Sequence, residues 1–505
     1  PYFNLGWSCR MQGKIDEAYD AFYKAAWNAA WQDASYFEIA RIETIRGEYE
    51  KALESVEKSL TRNWHHHKAR QLKCSLLRKM KYNEKAVAFA DASLEIDSFN
   101  MGCRYERYLA SGENSDLEKL KELMRDWSHG YIEYALDFVA GGLYEEAAGL
   151  LGLYLQDVEK VYPIIYYLLG YICMKQSNPS LAQEYFVKAE KCDSAYCFPN
   201  RIEEVLILQE AVRQNPSDAK SFYYLGNFWY ASRRYENAVS CWEQSATIDP
   251  EFPTVWRNLS LAYYNKGKQF PSLILTNISS SMDSVLLPTM STVQDDKKLV
   301  RNMLSRSIKL SAFVIFPLLF GLSGISKLMV KILLTEKWGL CVPYMNIFCI
   351  AMIFTPLSLS NLNAIKAIGN SGVYLKLEIT RKIFGILTLI IFMWFGPIYI
   401  AFSYLLNQII GYFINTLATK KFLDYGPIKQ LKDIFLSLLG SVFMLVFVWS
   451  IGKISINKYF LVILQIMVGM ISYVFFAYIT HNESFHYILM LFKTLLKQRE
   501  KDEKI

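Results

Sequence analysis

In this chain of 505 residues, the side chains best placed to do chemistry are polar groups stranded among apolar ones. Thr276, Asn277, Ser280, Asp283 and Ser284 fall on one helical face of an otherwise apolar stretch, 270–293. A charged group at the centre of a bilayer costs about 2.5–3.5 kcal/mol on insertion scales, so Asp283 is the sharpest candidate for a cavity-lining or proton-linked carboxylate. The competing reading is a carboxylate near a helix end or in a structural pair. Ser403, Asn407, Gly411 and Asn415 recur every fourth residue and form a second stripe, which either lines a path or packs helices together. Lys366, Lys376, Arg381 and Lys382 make a basic cluster that either attracts an anion or sets the orientation of its loop.

Catalytic constellations are missing. There is no Gly-rich phosphate loop, G-x-S-x-G, H-E-x-x-H or Asp-x-Asp pair, and doublets such as Glu145-Glu146 and Glu203-Glu204 read as solvated helix faces. Three adjacent histidines, His65-His66-His67, cannot all face one ion from a helix, so they read as a turn. Nine cysteines without C-x-x-C spacing read as free, mostly buried thiols. No enzyme activity, metal, cofactor or nucleic-acid partner is expected.

The elements that must position these groups divide between two solvents. Mean hydropathy is +0.11 with 20% charged residues. Up to Lys268 there are 32 Lys and Arg against 37 Asp and Glu, and from Gln269 onward 23 against 11. The first part faces water, whereas the second sets long apolar runs between short basic clusters, the pattern of a bilayer-spanning chain. The chain opens with Pro-Tyr-Phe and not Met, and so reads as a fragment whose leading segment is missing.

The water-facing part is repetitive. Ala18, Ala52 and Ala86 are 34 residues apart, and Gly13 and Gly47 keep the same period. Tyr2, Leu5, Gly6, Gly13, Ala18, Phe22 and Ala25 resemble the tetratricopeptide repeat signature. The pattern returns at Tyr166, Leu169, Gly170, Ala182, Phe186 and Ala189, at Leu225, Gly226, Ala238 and Pro250, and more weakly around Tyr131, Gly142 and Ala147. Small residues let the two helices of a pair cross closely while large ones fill the groove to the next pair, so an α-solenoid with a continuous core is expected. The resemblance implies a protein or peptide ligand on the concave face. Trp7, Trp27, Trp31 and Trp64 allow carbohydrate stacking or a binding hot spot, but their helical spacing reads first as core.

Trp256, Leu259, Tyr263 and Gly267 keep the repeat period, so another first helix and its turn are expected. Pro271 then falls where the second helix should run, at a cost of about 3 kcal/mol in a helix interior. The expected boundary is therefore Lys268, with a solenoid over 1–268 whose last repeat is truncated, a transmembrane lobe over 269–482 and an amphipathic basic tail over 483–505. The fold class expected is all-α, a solenoid followed by about seven transmembrane helices. Apolar stretches at 310–334, 340–361, 383–394, 398–417, 434–451 and 459–479, with the more polar 270–293, supply the seven. Lysine and arginine concentrate in alternate loops and in the tail from Lys493 to Lys504, which puts those loops and the C-terminus in the cytoplasm. If 270–293 inserts, the solenoid lies outside the cytoplasm; if it stays interfacial, the solenoid is cytoplasmic.

The strings Ser284-Val285-Leu286-Leu287-Pro288, Gln294-Asp295-Asp296, Pro317…Gly321-Leu322 and Leu334-Thr335-Glu336-Lys337-Trp338 resemble the C-terminal half of Wzx-type polysaccharide flippases. So do the run from Asn361 to Gly369 and Leu375-Lys376-Leu377-Glu378-Ile379. This resemblance to the multidrug/oligosaccharidyl-lipid/polysaccharide exporter superfamily implies alternating access between two lobes, of which only helices eight to fourteen match here. It also implies an undecaprenyl-pyrophosphate-linked oligosaccharide as substrate, membrane lipid as partner and the bacterial inner membrane as location. Asp283, Asn277, Asn361, Asn363, Lys366, Lys376, Arg381, Asn407 and Asn415 then become substrate or ion pathway candidates, with the basic cluster drawing the pyrophosphate. Three readings stay open: a transporter lobe, a membrane-anchored scaffold without transport, and two genes joined at Lys268.

Overall fold

A computed structural model describes residues 1–502, and Lys504 of the expected basic tail lies outside the described residues. The chain divides into two compact units between Phe252 and Pro253. All regular elements among the described residues are helical.

The first unit is a stack of helix pairs: α1 (Tyr2–Met11) with α2 (Ile15–Ala25), α3 (Gln32–Ile45) with α4 (Tyr49–Arg62), α5 (His67–Lys79) with α6 (Asn83–Ile96), and α7 (Met101–Ser111) with α8 (Asn114–Met124). It continues with α9 (Ser128–Ala140) and α10 (Tyr144–Asp157), α11 (Pro163–Lys175) and α12 (Pro179–Lys191), a single helix α13 (Ile202–Gln214), and α14 (Ala219–Ala231) with α15 (Tyr235–Ile248). The close crossings read from the sequence are present. A Cβ on Gly6 would stand 2.8 Å from the Phe22 ring, and Gly170 beneath Phe186 and Gly226 beneath Trp242 are equally bare of space. Overpacking at such a crossing costs typically 1–3 kcal/mol. The turn inside each pair needs one left-handed residue, supplied by Gly13, Gly47, Gly112 and Gly142, but by Lys81, Ser177 and Arg233 elsewhere.

The tryptophans depart from expectation. Trp27, Trp31 and Trp64 are exposed and Trp7 is half-buried, because the first three lie in the loops between repeats and not on a helix face. All nine cysteines are free, and seven are buried.

The second unit comprises α16 (Pro253–Ser291), α17 (Lys297–Leu333), α18 (Val342–Met352), α19 (Phe354–Ala367), α20 (Ser371–Phe392), α21 (Pro397–Leu423), α22 (Pro427–Ile451), α23 (Lys458–Ile479) and α24 (Glu483–Asp502). Its first helix corrects the sequence reading. No turn forms at Gly267 and Pro271 breaks nothing: one helix runs on from Pro253, so the structural division falls at 252/253 and not at Lys268. The apolar face that seemed to lack a partner is covered by α18 and the 3-10 turn Glu336–Cys341. The Tyr264 ring stands 4.9 Å from that of Phe348, and Tyr263 meets Trp338 edge-on at 6.1 Å. Gly267 is the close-approach point, since a Cβ there would lie 2.7 Å from Tyr344 Cβ and 2.9 Å from the Cys341 carbonyl. Packing of this kind outweighs the single backbone hydrogen bond a proline removes.

Five helical runs are long and apolar enough to cross a membrane, fewer than the seven expected: Lys297–Leu333, Glu336–Ala367, Pro397–Leu423, Pro427–Ile451 and Lys458–Ile479. The two that fall short are polar where the others are not. α16 carries the Thr276 to Ser284 stripe, and Lys376, Glu378, Arg381 and Lys382 crowd the first half of α20. The remainder of α20 is an almost uninterrupted exposed apolar surface, and Gly396, at positive φ, turns the chain directly into α21 alongside it. Of α24, Phe485 and Ile488 pack on the cluster of Phe313, Met444, Val448, Tyr473 and Ala477.

Candidate functional site

Polar side chains of the membrane unit concentrate at one end of the bundle, where α17 and α22 begin and α19 and α21 finish. The outermost layer is ionic: Arg301 and Lys429 both reach Asp424, at 3.2 and 2.8 Å. Asp433 follows one turn inward on α22, accepting from Tyr425 Oη at 2.5 Å and Ser305 Oγ at 2.7 Å, with Lys309 Nζ at 3.4 Å. Lys309 also pairs with Glu483 at 2.8 Å, beside a cavity of about 310 Å³ lined by Asn302, Arg306 and Tyr487 among others.

At the same level lies a fully buried amide knot. Asn361 Nδ2 donates to Gln430 Oε1 at 3.0 Å while Gln430 Nε2 donates to Asn361 Oδ1 at 2.7 Å. Thr419 Oγ1 adds a donor to the same Asn361 oxygen at 2.9 Å, and the second Asn361 amide hydrogen goes to the Leu357 carbonyl at 2.7 Å. Asn361, one of the pathway candidates, therefore has all its hydrogen-bonding capacity spent, three bonds tying α19 to α21 and α22 and one closing on α19 itself. Gln430, Thr419, Tyr425 and Asp433 were not singled out from the sequence. The spacing of Gln430 and Asp433 on one face of an apolar helix was the signal available.

Asn363, two residues on, projects away from the knot and donates to Asp283 Oδ1 at 2.7 Å, so the structure brings two of the sequence candidates together. Asn277 is exposed and its amide turns back to the Leu273 carbonyl at 3.1 Å. Thr276, Ser280 and Ser284 likewise bond to carbonyls of their own helix, the local satisfaction hydroxyls need in an apolar setting. The basic cluster does not converge on one point. Lys366 lies over the Tyr374 ring at 4.4 Å, Arg381 pairs with Glu378 at 3.4 Å, and Lys376 is exposed.

The stripe on α21 behaves differently from the knot. Asn415 is buried, yet neither its amide nitrogen nor its oxygen has a hydrogen-bond partner among the described residues. The same holds for Asn407 Oδ1 and for the buried Tyr412 hydroxyl. Each such group costs about 1–3 kcal/mol of unrecovered desolvation. Asn407 faces Gly385 of α20, whose missing side chain leaves only 3.2 Å between a Cβ and the amide. Three polar groups on one helix thus lack the partners that Asn361 has in full.

In the first unit, ion pairs tie the helices of the early repeats to α9 and α10. Arg10 pairs with Glu38 and reaches the Ala140 carbonyl at 2.5 Å; Arg41 and Lys68 converge on Asp137 of α9 at 2.8 and 2.9 Å. Arg78 joins Glu106 and Glu146 at 2.7 Å each. Burial pushes the Glu38 carboxyl up, but Arg41 and Arg10 outweigh it and hold it below the usual carboxylate range. The expected histidine turn is present between α4 and α5, and His66 ends it as the cap of α5, its Nδ1 accepting from the Ala69 N–H at 3.2 Å.

Comparison with known proteins follows this division. Residues 164–196 and 207–254 match family models of the tetratricopeptide repeat, and residues 253–343 match the model described as polysaccharide biosynthesis protein. An uncharacterized membrane protein in the cps region of Klebsiella pneumoniae is 27% identical over 241 residues, covering 44% of this chain. The chain spans 46% of that relative's length. Among solved structures, a tetratricopeptide repeat protein from Parabacteroides merdae is 14% identical with a TM-score of 0.24, over 52% of this chain and 97% of that one. The lipid II flippase MurJ in an inward closed conformation is 14% identical with a TM-score of 0.38, over 89% and 98%. The chain thus resembles tetratricopeptide repeat proteins over 164–196 and 207–254 and polysaccharide biosynthesis proteins over 253–343, and it carries five helical runs long and apolar enough to cross a membrane.

Proposed function

We propose that the membrane unit is one lobe of an exporter that moves an undecaprenyl-pyrophosphate-linked oligosaccharide across a bacterial inner membrane. In this reading the basic loops and the C-terminus lie in the cytoplasm, and a second lobe comes from another chain, because alternating access requires two bundles moving about a shared cavity. The observation that carries it is the line of unpartnered amide and hydroxyl groups on α21, Asn407, Tyr412 and Asn415, in a unit of the polysaccharide biosynthesis type. Sugar hydroxyls are both donors and acceptors, which is what an amide with both atoms unmet requires. Asp283, held by Asn363, supplies the one intramembrane carboxylate among the candidates and is assigned the ion-linked role. Lys366 and Lys376, neither ion-paired among the described residues, are assigned to the pyrophosphate. Asn361 is assigned to holding the lobe together.

The test is complementation. A cell lacking its own flippase, supplied with this chain and the missing lobe, should recover surface polysaccharide, and Asp283→Asn should abolish the recovery. Recovery that survives Asp283→Asn and Asn415→Leu together would overturn the assignment of the pathway. Failure of the wild-type pair to restore any polymer would favour a membrane-anchored scaffold.

A further inference from the structure

The two edges of the repeat array differ in chemistry. Turns within helix pairs present mainly glycine and charge, at Gly13-Lys14, Gly47-Glu48, Lys81 and Arg233-Arg234, with the half-exposed rings of Tyr82 and Tyr235 and no tryptophan beside them. Loops between pairs present aromatic rings: Trp27, which is 83% exposed, with Trp31 after α2, Trp64 at 53% after α4, Phe99 at 65% after α6, and Trp127 at 67% after α8. After α12 come Tyr196 at 88% and Phe198. Because every such loop leaves a second helix and enters the next first helix, all lie along one edge of the stack, spaced by about the 8–10 Å separating packed helices.

Three of these rings have a ring or cation beside them. Trp31 stacks on Phe3 with centroids 4.8 Å apart and planes 25° apart. Trp64 rests on the fully buried Arg70 guanidinium at 4.4 Å and meets Phe89 edge-on. Trp127 meets His129 edge-on at 6.4 Å. Trp31 and Trp64, each held on one face and still exposed, are preorganised platforms, which lowers the ordering cost of binding.

From this edge we propose a second binding site: a ladder of aromatic platforms that takes an extended, uncharged glycan chain, one sugar face per repeat. The apolar face of a pyranose stacks on an aromatic ring, and its hydroxyls meet the exposed polar groups that flank the rings, such as Asn28, His65, Ser98 and Asp126. A protein partner is less suited, since hot-spot aromatics gather in one desolvated centre, whereas these are separated by polar loops. A lipid surface is less suited too, because interfacial aromatics are flanked by an excess of lysine and arginine, and here Asp97, Asp126 and Asp193 stand among the rings beside Arg62, Arg125 and Lys191. The polysaccharide biosynthesis type of the membrane unit puts a repeating glycan within the chain's own chemistry. The site does not depend on transport, since one chain carries the whole ladder.

The test uses the full chain in nanodiscs, so that no sugar-headed detergent competes, on an array of purified bacterial surface polysaccharides, neutral and acidic. The expected result is retention by at least one neutral polymer, weakened about threefold to tenfold by Trp64→Ala alone. The triple change Trp27→Ala, Trp64→Ala, Trp127→Ala should weaken it by about a hundredfold or more, as linked weak sites lose avidity together. Tyr82→Ala with Tyr235→Ala, on the opposite edge, should leave it unchanged. No retention of any polymer by the wild type, or equal retention by the triple variant with an unaltered melting curve, overturns the proposal. So does preference for acidic polymers that the ring substitutions leave intact.

Discussion

Replacing Asn415 with leucine should raise the stability of the membrane unit, whereas the same change at Asn361 should lower it, although both are buried asparagines on packed helices. Leucine at 415 removes an amide whose donor and acceptor both go unmet, and recovers about 1–3 kcal/mol of desolvation. At 361 it removes four hydrogen bonds, to the Leu357 carbonyl, to and from Gln430, and from Thr419. Interhelical bonds of this kind in membranes average about 0.6 kcal/mol and reach about 1.7, and Gln430 Oε1 is left without its donor, so a loss of about 1–3 kcal/mol is expected. The two variants should therefore differ by about 2–6 kcal/mol, at roughly 2–4 °C per kcal/mol for a unit of this size. Thermal unfolding in nanodiscs followed by tryptophan fluorescence reads the difference directly. Asn415→Leu should gain stability and lose export, as expected where a function keeps a destabilised group in place. Midpoints that fall together, or an Asn415→Leu midpoint below wild type, would refute the contrast between satisfied and unsatisfied amides.

Asp283→Asn keeps an oxygen for the Asn363 amide while removing the charge, so stability should stay within about 0.5 kcal/mol as complementation is lost, a dissociation checked by pairing melts with the polysaccharide assay. Asp137→Ala leaves Arg41 and Lys68 without the carboxylate on which both converge; since Arg41 retains Glu38, the repeat array should lose about 2–4 kcal/mol, measured by urea unfolding followed by circular dichroism. Glu38 has its folded pKa lowered from 4.5, so its contribution is fully present above that value and disappears as pH falls through the folded pKa. Melting midpoints of the array should accordingly drop on acidification below about pH 4.5, and Glu38→Gln should flatten that limb while starting from a lower midpoint. Ser177→Gly relieves a left-handed residue at φ 58° and should gain about 0.5–1 kcal/mol, whereas Gly47→Ala, at φ 75°, should lose about 1 kcal/mol.

The periodicity of Ala18, Ala52 and Ala86 and the bare glycines at 6, 170 and 226 made the repeat array legible, because local spacing decides which faces of neighbouring helices can touch. Apolar run length likewise identified five of the seven expected runs as helices long and apolar enough to cross a membrane, since lipid demands length and apolarity within each segment on its own. What depended on distant residues was not legible. Pro271 was read as a break because its helix interior is costly in isolation, yet α16, packed against α18 and the Glu336–Cys341 turn, continues through it. Of the tryptophans read as core by spacing, Trp7 packs against the core of the first repeats, whereas Trp27, Trp31 and Trp64 lie in loops, where no periodicity governs exposure. Among the polar candidates, Asp283 and Asn363 met, Asn361 proved saturated and Asn415 unmet, differences that rest on which helix faces which. Sequence alone determined the kinds of helix and the solvent each requires, because period and polarity act over a few neighbouring residues. Only the tertiary structure decided which buried polar groups are satisfied and which aromatic rings stand free, because a hydrogen bond or a covered ring needs a partner brought from far along the chain.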